Sequence, residues 1–382
     1  MTKMVSDILR DFKSGYETRF RKAYSNLHNK RIYIYGSGVY GRTLKKALLD
    51  YNCVDKIDAF INDFENGFSI DGVPVKSFEE IDFTTNADYC VLVAIEKNNA
   101  IVKKLQNAGV FFHTLSQKDF YSWCALIHDT YCKDGHRKID DLGSRIEHYH
   151  RDLAFQRELW KSFYEDQESL EVVSSRINFY ETGDLSYLED CVISSQNYFA
   201  QDLIKIGCDE VFVDCGAFDG DSAISFCKFT ENQYKKIICF EPDSTNFKKL
   251  QQTSQNIRNI EIFPYAVGNE NGEISFSDGN GTESAVVENG NIKVPIVRMD
   301  DFFKESVSII KMDIEGAEID ALRGGAELIK RYRPKLILSA YHNVEDLYDI
   351  PIFIRNLVPE YKFKLRQKLP AIYDTVLYAE VE

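Results

Sequence analysis

The stretch VFVDCGAFDGD, residues 211–221, decides the fold of the C-terminal half of this chain. A run of apolar residues ends in Asp214, and Gly216 and Gly220 follow in a turn that leads into a helical pattern. Glycine lets the backbone approach a ligand closely, and open parallel sheets bind ligands at the carboxyl ends of their strands. The stretch therefore predicts the first strand of a parallel α/β sheet with a ligand site at its end.

The next strand pattern, KIICF at residues 236–240, also ends in an acid, Glu241, which lies 25 residues beyond Gly216. A carboxylate at the end of a second strand can accept hydrogen bonds from both hydroxyls of a ribose, as in Rossmann folds. A pyrophosphate prefers an uncharged glycine-rich turn at a helix N-terminus, whereas the turn with Asp214 and Asp221 suits an ammonium group. Together the two motifs predict a ligand that carries a ribose and an ammonium group.

Ionisable residues recur at the ends of two later strands. The segment IIKMDIEGAE places Asp313, Glu315 and Glu318 after a buried-type strand, and SAYHN places His342 after the next one. Because we expect these strands to be neighbours, we predict Asp313, Glu315 and His342 as catalytic residues, with Asp313 or His342 as the base that deprotonates a hydroxyl group. Asp313 and His342 are equally candidates for binding a divalent cation. Two structural interpretations stay open, with Glu318 as a favourable acid at a helix N-terminus and His342 as a buried structural histidine.

Buried-type strands alternate with helical segments along the C-terminal half, which predicts a parallel sheet covered on both faces. Turn pairs such as Asn271-Gly272 interrupt this alternation and predict a hairpin insertion over residues 272–297. The tail predicts a closing pair of antiparallel strands. The predicted strands are 210–214, 236–240, 260–265, 307–312 and 335–340, and the closing pair is 361–365 and 375–381.

These motifs, in this order, resemble the FkbM family of methyltransferases, and the resemblance extends from about residue 198 to the C-terminus. It implies a seven-strand class I methyltransferase fold and O-methylation of a hydroxyl group, often on a sugar or a polyketide-like acceptor. The matching segments are VDCGAFDG at 213–220, FEPD at 240–243, YAVG at 265–268, KMDIEGAE at 311–318, LRGG at 322–325 and Arg333-Pro334.

The resemblance also implies S-adenosylmethionine as cofactor, with Ala266 near its adenine. Many members carry a glutamate after the fifth strand, whereas this chain reads AYHN at residues 340–343, so the roles on the acceptor side stay open. By analogy with metal-dependent catechol-type O-methyltransferases, whose ligands lie at the same two strand ends, Mg²⁺ is expected at Asp313 and His342. The predicted cofactor-binding residues are Asp214, Gly216, Ala217, Phe218, Gly220, Asp221, Glu241, Pro242 and Ala266.

A second glycine turn, GSGVYG at residues 36–41, follows the strand pattern RIYIY and opens a helical pattern. This context is that of a nucleotide-binding turn, and Asp63 at the end of the next strand lies 22 residues past Gly41. We therefore predict Gly36, Gly38, Gly41 and Asp63 as nucleotide ligands. The domain resembles the small nucleotide-sugar-binding domains of bacterial sugar-modifying enzymes, which implies a sugar nucleotide as partner; a vestigial scaffold and NAD chemistry are the alternatives.

The whole chain is therefore predicted to be α/β, with two Rossmann-like parallel-sheet domains joined by a helical connector. Helical periodicity dominates the connector, notably over residues 146–163 and 196–206, and the charged stretch 134–140 is the predicted hinge. In the first domain, strands are predicted at 31–35, 57–61, 73–75, 89–95 and 110–115. The predicted divisions are N-terminal helices at 1–30, the small Rossmann-like domain at 31–116, the connector at 117–207 and the methyltransferase domain at 208–382.

Composition narrows the partners. The net charge of -14 opposes binding to a phosphate backbone, so nucleic acid is not an expected partner. No apolar run approaches the roughly 18 residues of a membrane span, and the first residues lack the apolar centre of a signal peptide, so a cytoplasmic location is expected. The nine cysteines show no CxxC or Cys/His spacing, which favours reduced thiols without zinc or a disulfide framework.

The sequence favours an S-adenosylmethionine-dependent O-methyltransferase that acts on a hydroxyl of a sugar, glycan or sugar nucleotide. One alternative is an NAD(P)-dependent oxidoreductase that uses the glycine turn at Gly36. The other is a non-catalytic module that binds nucleotide sugars.

Overall fold

The computed structural model describes residues 17–18, 20–64, 66–83, 88–95, 99–114, 145, 148–182, 186–191, 198–200, 202–277, 285–286, 292–369 and 374–381. These residues belong to two compact units. The first falls within Met1–Glu147 together with Tyr180–Leu185, and the second within His148–Phe179 and Ser186–Glu382. The predicted hinge at 134–140 lies outside the described residues, and the predicted domain boundaries stay predictions.

The first unit contains a six-stranded sheet. Its strands are β1 (Arg31–Tyr35), β2 (Ala59–Ile61), β3 (Phe68–Ile70), β4 (Val73–Lys76), β5 (Tyr89–Val93) and β6 (Phe112–Thr114), and its longer helices are α1 (Val39–Asp50) and α2 (Asn99–Asn107). The strand order is β3-β4-β2-β1-β5-β6, and only β3 runs antiparallel to its neighbour. The alternation predicted for this domain is confirmed.

The sequence pattern missed β3. This strand is only three residues long and largely exposed at the sheet edge, so it carries no apolar run. The central strands are easy to recognise because they are buried on both faces: residues 32–35 of β1 and 90–93 of β5 are all buried.

Two glycines of the turn between β1 and α1 are required by the local structure. A Cβ atom on Gly41 would lie 1.8 Å from the carbonyl oxygen of Gly36, and Gly36 itself has a φ of +109°. Close approach of the backbone therefore accounts for Gly36 and Gly41, whereas a Cβ atom on Gly38 would meet no atom within 4 Å.

The second unit contains a seven-stranded sheet and a smaller four-stranded sheet. Its strands are β7 (Val211–Cys215), β8 (Lys236–Phe240), β9 (Ile260–Phe263), β10 (Ala266–Val267), β11 (Gly272–Ser277), β12 (Ala285–Val286), β13 (Ile292–Val297), β14 (Ile309–Met312), β15 (Lys335–Ser339), β16 (Lys362–Gln367) and β17 (Thr375–Glu380). Its helices are α3 (Arg157–Lys161), α4 (Gln167–Thr182), α5 (Ser186–Asp190), α6 (Asp221–Phe229), α7 (Ser244–Ser254), α8 (Met299–Phe302), α9 (Glu318–Gly324), α10 (Ala326–Tyr332) and α11 (Asp346–Leu357). Of α4, the residues up to Phe179 belong to this unit.

The order of the large sheet is β16-β17-β15-β14-β7-β8-β9. β17 is antiparallel to both of its neighbours, and all other pairs are parallel. This parallel sheet with an antiparallel hairpin at one edge is the architecture that the sequence predicted. The order also puts the ends of β7 and β14 side by side, and those of β14 and β15, so the acids that follow these strands meet at one edge.

An aromatic core holds one face of the large sheet. The rings of Phe212 in β7 and Phe226 in α6 lie 4.6 Å apart between centroids, and the ring of Phe199 packs against both. All three side chains are buried. Their apolar area fixes α6, and with it the turn that precedes the helix, on the sheet.

The predicted hairpin insertion forms the small sheet. β11 is antiparallel to both β12 and β13, and β10 adds to the edge as a parallel partner of β13. Two further turn pairs that support this prediction, Asp278-Gly279 and Asn289-Gly290, lie outside the described residues.

The connector was predicted less well. Residues 148–161 are helical in short π, 3-10 and α segments, whereas the predicted helix at 196–206 is wrong, since the described residues of that range form at most one turn. Leu203 and Ile204 are adjacent and both buried in the core beside Phe199. The spacing of these apolar residues therefore resembled that of a helix, although they are buried by the packing of an irregular segment.

Among the described residues, no helix is long and apolar enough to cross a membrane.

Candidate active site

The glycine turn after β7 forms the centre of the carboxyl edge. A Cβ atom on Gly216 would lie 2.0 Å from the carbonyl oxygen of Asp313, so only glycine allows β7 and the segment after β14 to approach this closely. Gly216, Phe218 and Gly220 all have positive φ, and the backbone N–H of Ala217 donates to the carbonyl of Phe240. The turn predicted for the cofactor is therefore a strained loop that faces the neighbouring strand ends.

A buried ion pair lies directly beneath this turn. Lys311 Nζ in β14 lies 2.9 Å from Asp214 Oδ1 in β7, and the two side chains are 3% and 0% exposed. Burial opposes the charge on Lys311, but the Asp214, Asp313 and Asp221 carboxylates outweigh it and raise the pKa of the amine. Burial raises the pKa of Asp214 to about 6, although the Lys311 charge lowers it. Lys311 was not predicted as a site residue, although the lysine two positions before Asp313 was visible in the sequence.

Glu241 is held by the backbone around it. Its Oε2 accepts a hydrogen bond from the N–H of Phe218 and its Oε1 one from the N–H of Asp243, both at 2.8 Å. Burial raises the pKa of this carboxyl to about 7 although the two hydrogen bonds lower it. The glycine turn and the end of β8 are thus joined through one carboxylate, which is fixed in orientation before any ligand binds.

The remaining predicted cofactor residues flank this pair. Asp221 is the first residue of α6, and its carboxylate accepts from the N–H of Ser222 at 2.7 Å. Phe218 lies beneath the Lys249 ammonium, which is 5.2 Å from its ring centroid. Pro242 follows Glu241 directly, and Ala266 is buried in β10. Their contacts with a cofactor stay predictions.

A histidine lies among three acids at the ends of β14 and β15. His342 Nδ1 is 3.0 Å from Glu318 Oε1, and its Nε2 is 3.5 Å from Asp313 Oδ1 and 3.8 Å from Glu315 Oε2. Burial opposes protonation of His342, but the charges of Glu318, Asp313 and Glu315 outweigh it and raise its pKa to about 10. The imidazole is therefore a cation at neutral pH. The structure brings the three predicted catalytic residues together and adds Glu318.

Two tyrosines that the sequence did not indicate hold Asp313. The hydroxyl of Tyr341 donates to Asp313 Oδ1 at 3.1 Å, and that of Tyr198 lies 3.5 Å from Oδ2. Burial opposes ionisation of Asp313, but the charges of His342 and Lys311 outweigh it and lower the pKa of the carboxyl. No pattern in the sequence announces Tyr198, because it precedes the first strand of the domain and reaches Asp313 only in the folded chain.

Of the residues predicted as nucleotide ligands in the first unit, Asp63 is hydrogen-bonded to other residues of that unit. Asp63 accepts hydrogen bonds from the Tyr35 hydroxyl, from Lys104 Nζ at 2.7 Å and from the N–H of Phe78 at 3.0 Å. Burial opposes its ionisation, but the hydrogen bonds from Lys104 and Tyr35 lower its pKa. Its carboxylate is therefore occupied by its own unit. Gly36, Gly38 and Gly41 lie in the predicted turn, but their role as ligands stays a prediction.

Comparison with known proteins bears on the second unit. Residues 214–365 match the family model of the methyltransferase FkbM domain. A curated relative, the 2-O-methyltransferase NoeI of Sinorhizobium fredii (strain NBRC 101917 / NGR234), is 27% identical over 182 residues, which are 40% of this chain and 73% of the relative.

A solved structure has the same fold. The crystal structure of methyltransferase FkbM from Methylobacillus flagellatus KT aligns with a TM-score of 0.58 at 21% identity and covers 98% of this chain and 100% of that one. The match to a methyltransferase domain and the relative named as a methyltransferase support methyl transfer by this protein, with S-adenosylmethionine as the methyl donor. The resemblance to the FkbM family in the C-terminal half is confirmed, whereas the comparisons do not identify the first unit.

The buried ion pair leads to a stability prediction. Lys311→Met leaves Asp214 buried without a counter-charge, so we expect the free energy of unfolding to fall by about 3–5 kcal/mol. The double variant Asp214→Asn with Lys311→Met should recover much of this loss, because neither charge then remains buried. Urea denaturation of the wild type, both single variants and the double variant measures these differences.

The matched control is Lys330→Met, which removes an exposed lysine paired with Glu327 on α10. It should leave the free energy of unfolding unchanged within error. A Lys311→Met variant as stable as this control would contradict the importance of the buried pair.

The histidine among the acids leads to a kinetic prediction. His342→Ala removes the cation that orients Asp313 and Glu315, so turnover should fall by about 10²-fold or more while the dissociation constant of S-adenosylmethionine changes much less. Turnover is measured as S-adenosylhomocysteine release and affinity by calorimetry. His113→Ala, at an exposed position of the first unit, is the control. Equal losses of turnover and affinity would refute an acceptor-side role for His342.

Proposed function

We propose that this protein transfers a methyl group from S-adenosylmethionine to a hydroxyl group of a sugar, glycan or sugar nucleotide. The observation that carries the proposal is the acidic carboxyl edge of the large sheet, where Asp313, Glu315 and His342 lie beside the strained glycine turn at Gly216. Carboxylates that accept hydrogen bonds from hydroxyl groups are the chemistry that a polyol acceptor needs. The relative named a 2-O-methyltransferase supports transfer to oxygen.

On the cofactor side, Glu241 is proposed to accept hydrogen bonds from the ribose hydroxyls. Each of its oxygens already accepts one backbone N–H and retains a further lone pair, so the carboxylate can accept two hydroxyl donors without moving. Asp214 and Asp221 supply negative charge near the glycine turn for the ammonium and sulfonium of the cofactor. Asp214 Oδ2 is buried and has no hydrogen-bond partner in the described part of the chain, which suits a carboxylate that receives a donor on binding.

On the acceptor side, Asp313 and Glu315 are proposed to accept hydrogen bonds from the hydroxyl groups of the acceptor. Correct alignment of the acceptor oxygen with the methyl group can contribute several kcal/mol to catalysis. The lowered pKa of Asp313 and the raised pKa of His342 both disfavour a role as base, since one is a weak base and the other is already protonated. These residues are therefore proposed to orient the acceptor, with His342 as the cation that holds the acids together.

The donor set at this cluster fits Mg²⁺ poorly. Asp313, Glu318 and His342 each offer a ligand atom within 4.8 Å of the others. However, the imidazole lies between the Glu318 and Asp313 carboxylates, and Glu318 Oε1 also accepts the N–H of Ile314. Mg²⁺ prefers near-octahedral oxygen ligands, and an imidazole nitrogen is not such a ligand. The Mg²⁺ prediction is not supported, and no step of the proposed reaction depends on it.

The first unit is proposed to bind a sugar nucleotide at the turn of residues 36–41. Asp63 accepts hydrogen bonds from Lys104 and Tyr35, so this proposal uses the turn and not Asp63. The oxidoreductase alternative is disfavoured because it needs Asp63 for the ribose of NAD. The other alternative, a non-catalytic module, is distinguished by measurement, because such a protein would bind S-adenosylmethionine without turnover.

The experiment incubates the full chain with S-adenosylmethionine and a panel of monosaccharides, oligosaccharides and sugar nucleotides, and measures S-adenosylhomocysteine release. We expect turnover with at least one acceptor. Glu241→Gln should weaken cofactor binding by about 10- to 100-fold, the value of a hydrogen-bonded charged group. Because the ribose hydroxyls donate to the ionised carboxyl, binding lowers the pKa of Glu241 from about 7, so the affinity of the wild type should rise as pH increases through 7.

Glu261→Gln is the control, because Glu261 is an exposed acid on the neighbouring strand β9. It should keep both the affinity and its pH dependence. Cofactor binding with no turnover on any acceptor, or affinity that is unchanged in Glu241→Gln, would count against the proposed function.

A further inference from the structure

Lys368 is a buried amine at the carboxyl edge that the proposed function does not use. It follows β16, and its backbone N–H donates to the carbonyl of Asp374 at 2.9 Å. The residue is 6% exposed. Its Nζ lies 3.2 Å from the ring centroid of Tyr198, and across the described part of the chain no hydrogen bond or ion pair reaches it. A lysine that is buried without a carboxylate partner is costly, and such groups are typical of functional sites.

Tyr198 connects this amine with the acid cluster. The face of its ring contacts Lys368, its hydroxyl lies 3.5 Å from Asp313 Oδ2, and Lys311 Nζ lies 5.4 Å from the same ring centroid. Lys368 is thus one aromatic ring away from the carboxylate that we propose to orient the acceptor.

The electrostatic surroundings decide the protonation state of Lys368. Burial is the largest effect and lowers the pKa of Lys368, and the charge of Lys311 acts in the same direction. The charges of Asp374, Asp313 and Asp221 act in the opposite direction, and the resulting pKa is about 8. A desolvated lysine with a depressed pKa is a well-matched general base near neutral pH. The positive charge of a bound sulfonium would disfavour the ammonium form still more.

We propose that Lys368 is the general base of the methyl transfer and takes the proton of the acceptor hydroxyl that Asp313 orients. The inference rests on the proposed function and deepens it. As the neutral amine removes the hydroxyl proton, the acceptor oxygen forms a bond to the methyl carbon. The carbon–sulfur bond breaks with its electron pair on sulfur. The products are the methyl ether, S-adenosylhomocysteine and the Lys368 ammonium, which returns its proton to solvent.

The charges around Lys368 argue against a role in binding an anionic acceptor. An acceptor phosphate or carboxylate near this amine would also face Asp313, Asp221 and Asp374, whose charges all act on Lys368. These carboxylates oppose the approach of an anion. A neutral hydroxyl meets no such barrier.

The test compares Lys368→Met and Lys368→Arg with the wild type, using the best acceptor of the panel. Both variants should lose about 10²- to 10⁴-fold in turnover, because neither side chain can accept a proton at neutral pH. Their affinity for S-adenosylmethionine should stay within a few-fold of the wild type, which also shows that they fold. The turnover of the wild type should rise with pH along a limb that both variants lack. Lys362→Met, at an exposed position of the strand that precedes Lys368, should behave as the wild type.

A second measurement guards against a structural explanation. Propylamine added to Lys368→Ala should restore turnover in proportion to the concentration of its neutral form, because the neutral amine can replace the lost base. Retained turnover in Lys368→Met would overturn the proposal while leaving methyl transfer intact. An active Lys368→Arg variant, together with a Lys368→Met variant in which only the KM for the acceptor is raised, would also overturn it. A wild type without turnover on any acceptor would overturn the proposed function and this inference together.

Discussion

The ion pair between Lys311 and Asp214 is the interaction on which the carboxyl edge depends. It joins the two central strands β7 and β14 where the sheet is buried on both faces, so its charges compensate each other in a place that water does not reach. The glycine turn begins directly after Asp214, and Asp313 lies two residues after Lys311. The same pair thus fixes the position of the turn that we propose for the cofactor and of the acid that we propose for the acceptor.

Charge balance explains how so many acids can share this edge. Asp214 is matched by Lys311, and Asp313, Glu315 and Glu318 are matched in part by the protonated His342. Lys368 differs from the other two cations, because it faces an aromatic ring and has no carboxylate within ion-pair distance in the described part of the chain. The edge keeps an excess of negative charge, which suits a cationic methyl donor and a neutral polyol acceptor.

Much of this arrangement follows from the sequence, and the part that does not has physical reasons. The strands at 236–240 and 335–340 and the closing hairpin were predictable, because buried strands appear as continuous apolar runs. Asp214, Glu241, Asp313 and His342 were recognisable because each follows such a run. The irregular segment beside Phe199 was not predictable, because the spacing of its apolar residues resembles that of a helix. Those residues are buried by tertiary packing and not on one face of a helix.

The partners of the predicted residues were hidden for a further reason. Tyr198 and Lys368 precede and follow most of the domain in the chain, and only the fold brings them to Asp313. The protonation of His342 likewise depends on Glu318, whose carboxylate was interpreted from sequence as a possible helix-terminal acid. It is indeed the first residue of α9, but it also pairs with the histidine, so both interpretations apply.

The most direct test of the central claim is a crystal structure of the full chain with S-adenosylhomocysteine. We predict that the ribose hydroxyls lie about 2.7–3.2 Å from the carboxylate oxygens of Glu241 and that the sulfur points towards Asp313 and Lys368. A molecule bound elsewhere, for example at the turn of residues 36–41, with Glu241 contacting only its own backbone, would contradict the claim.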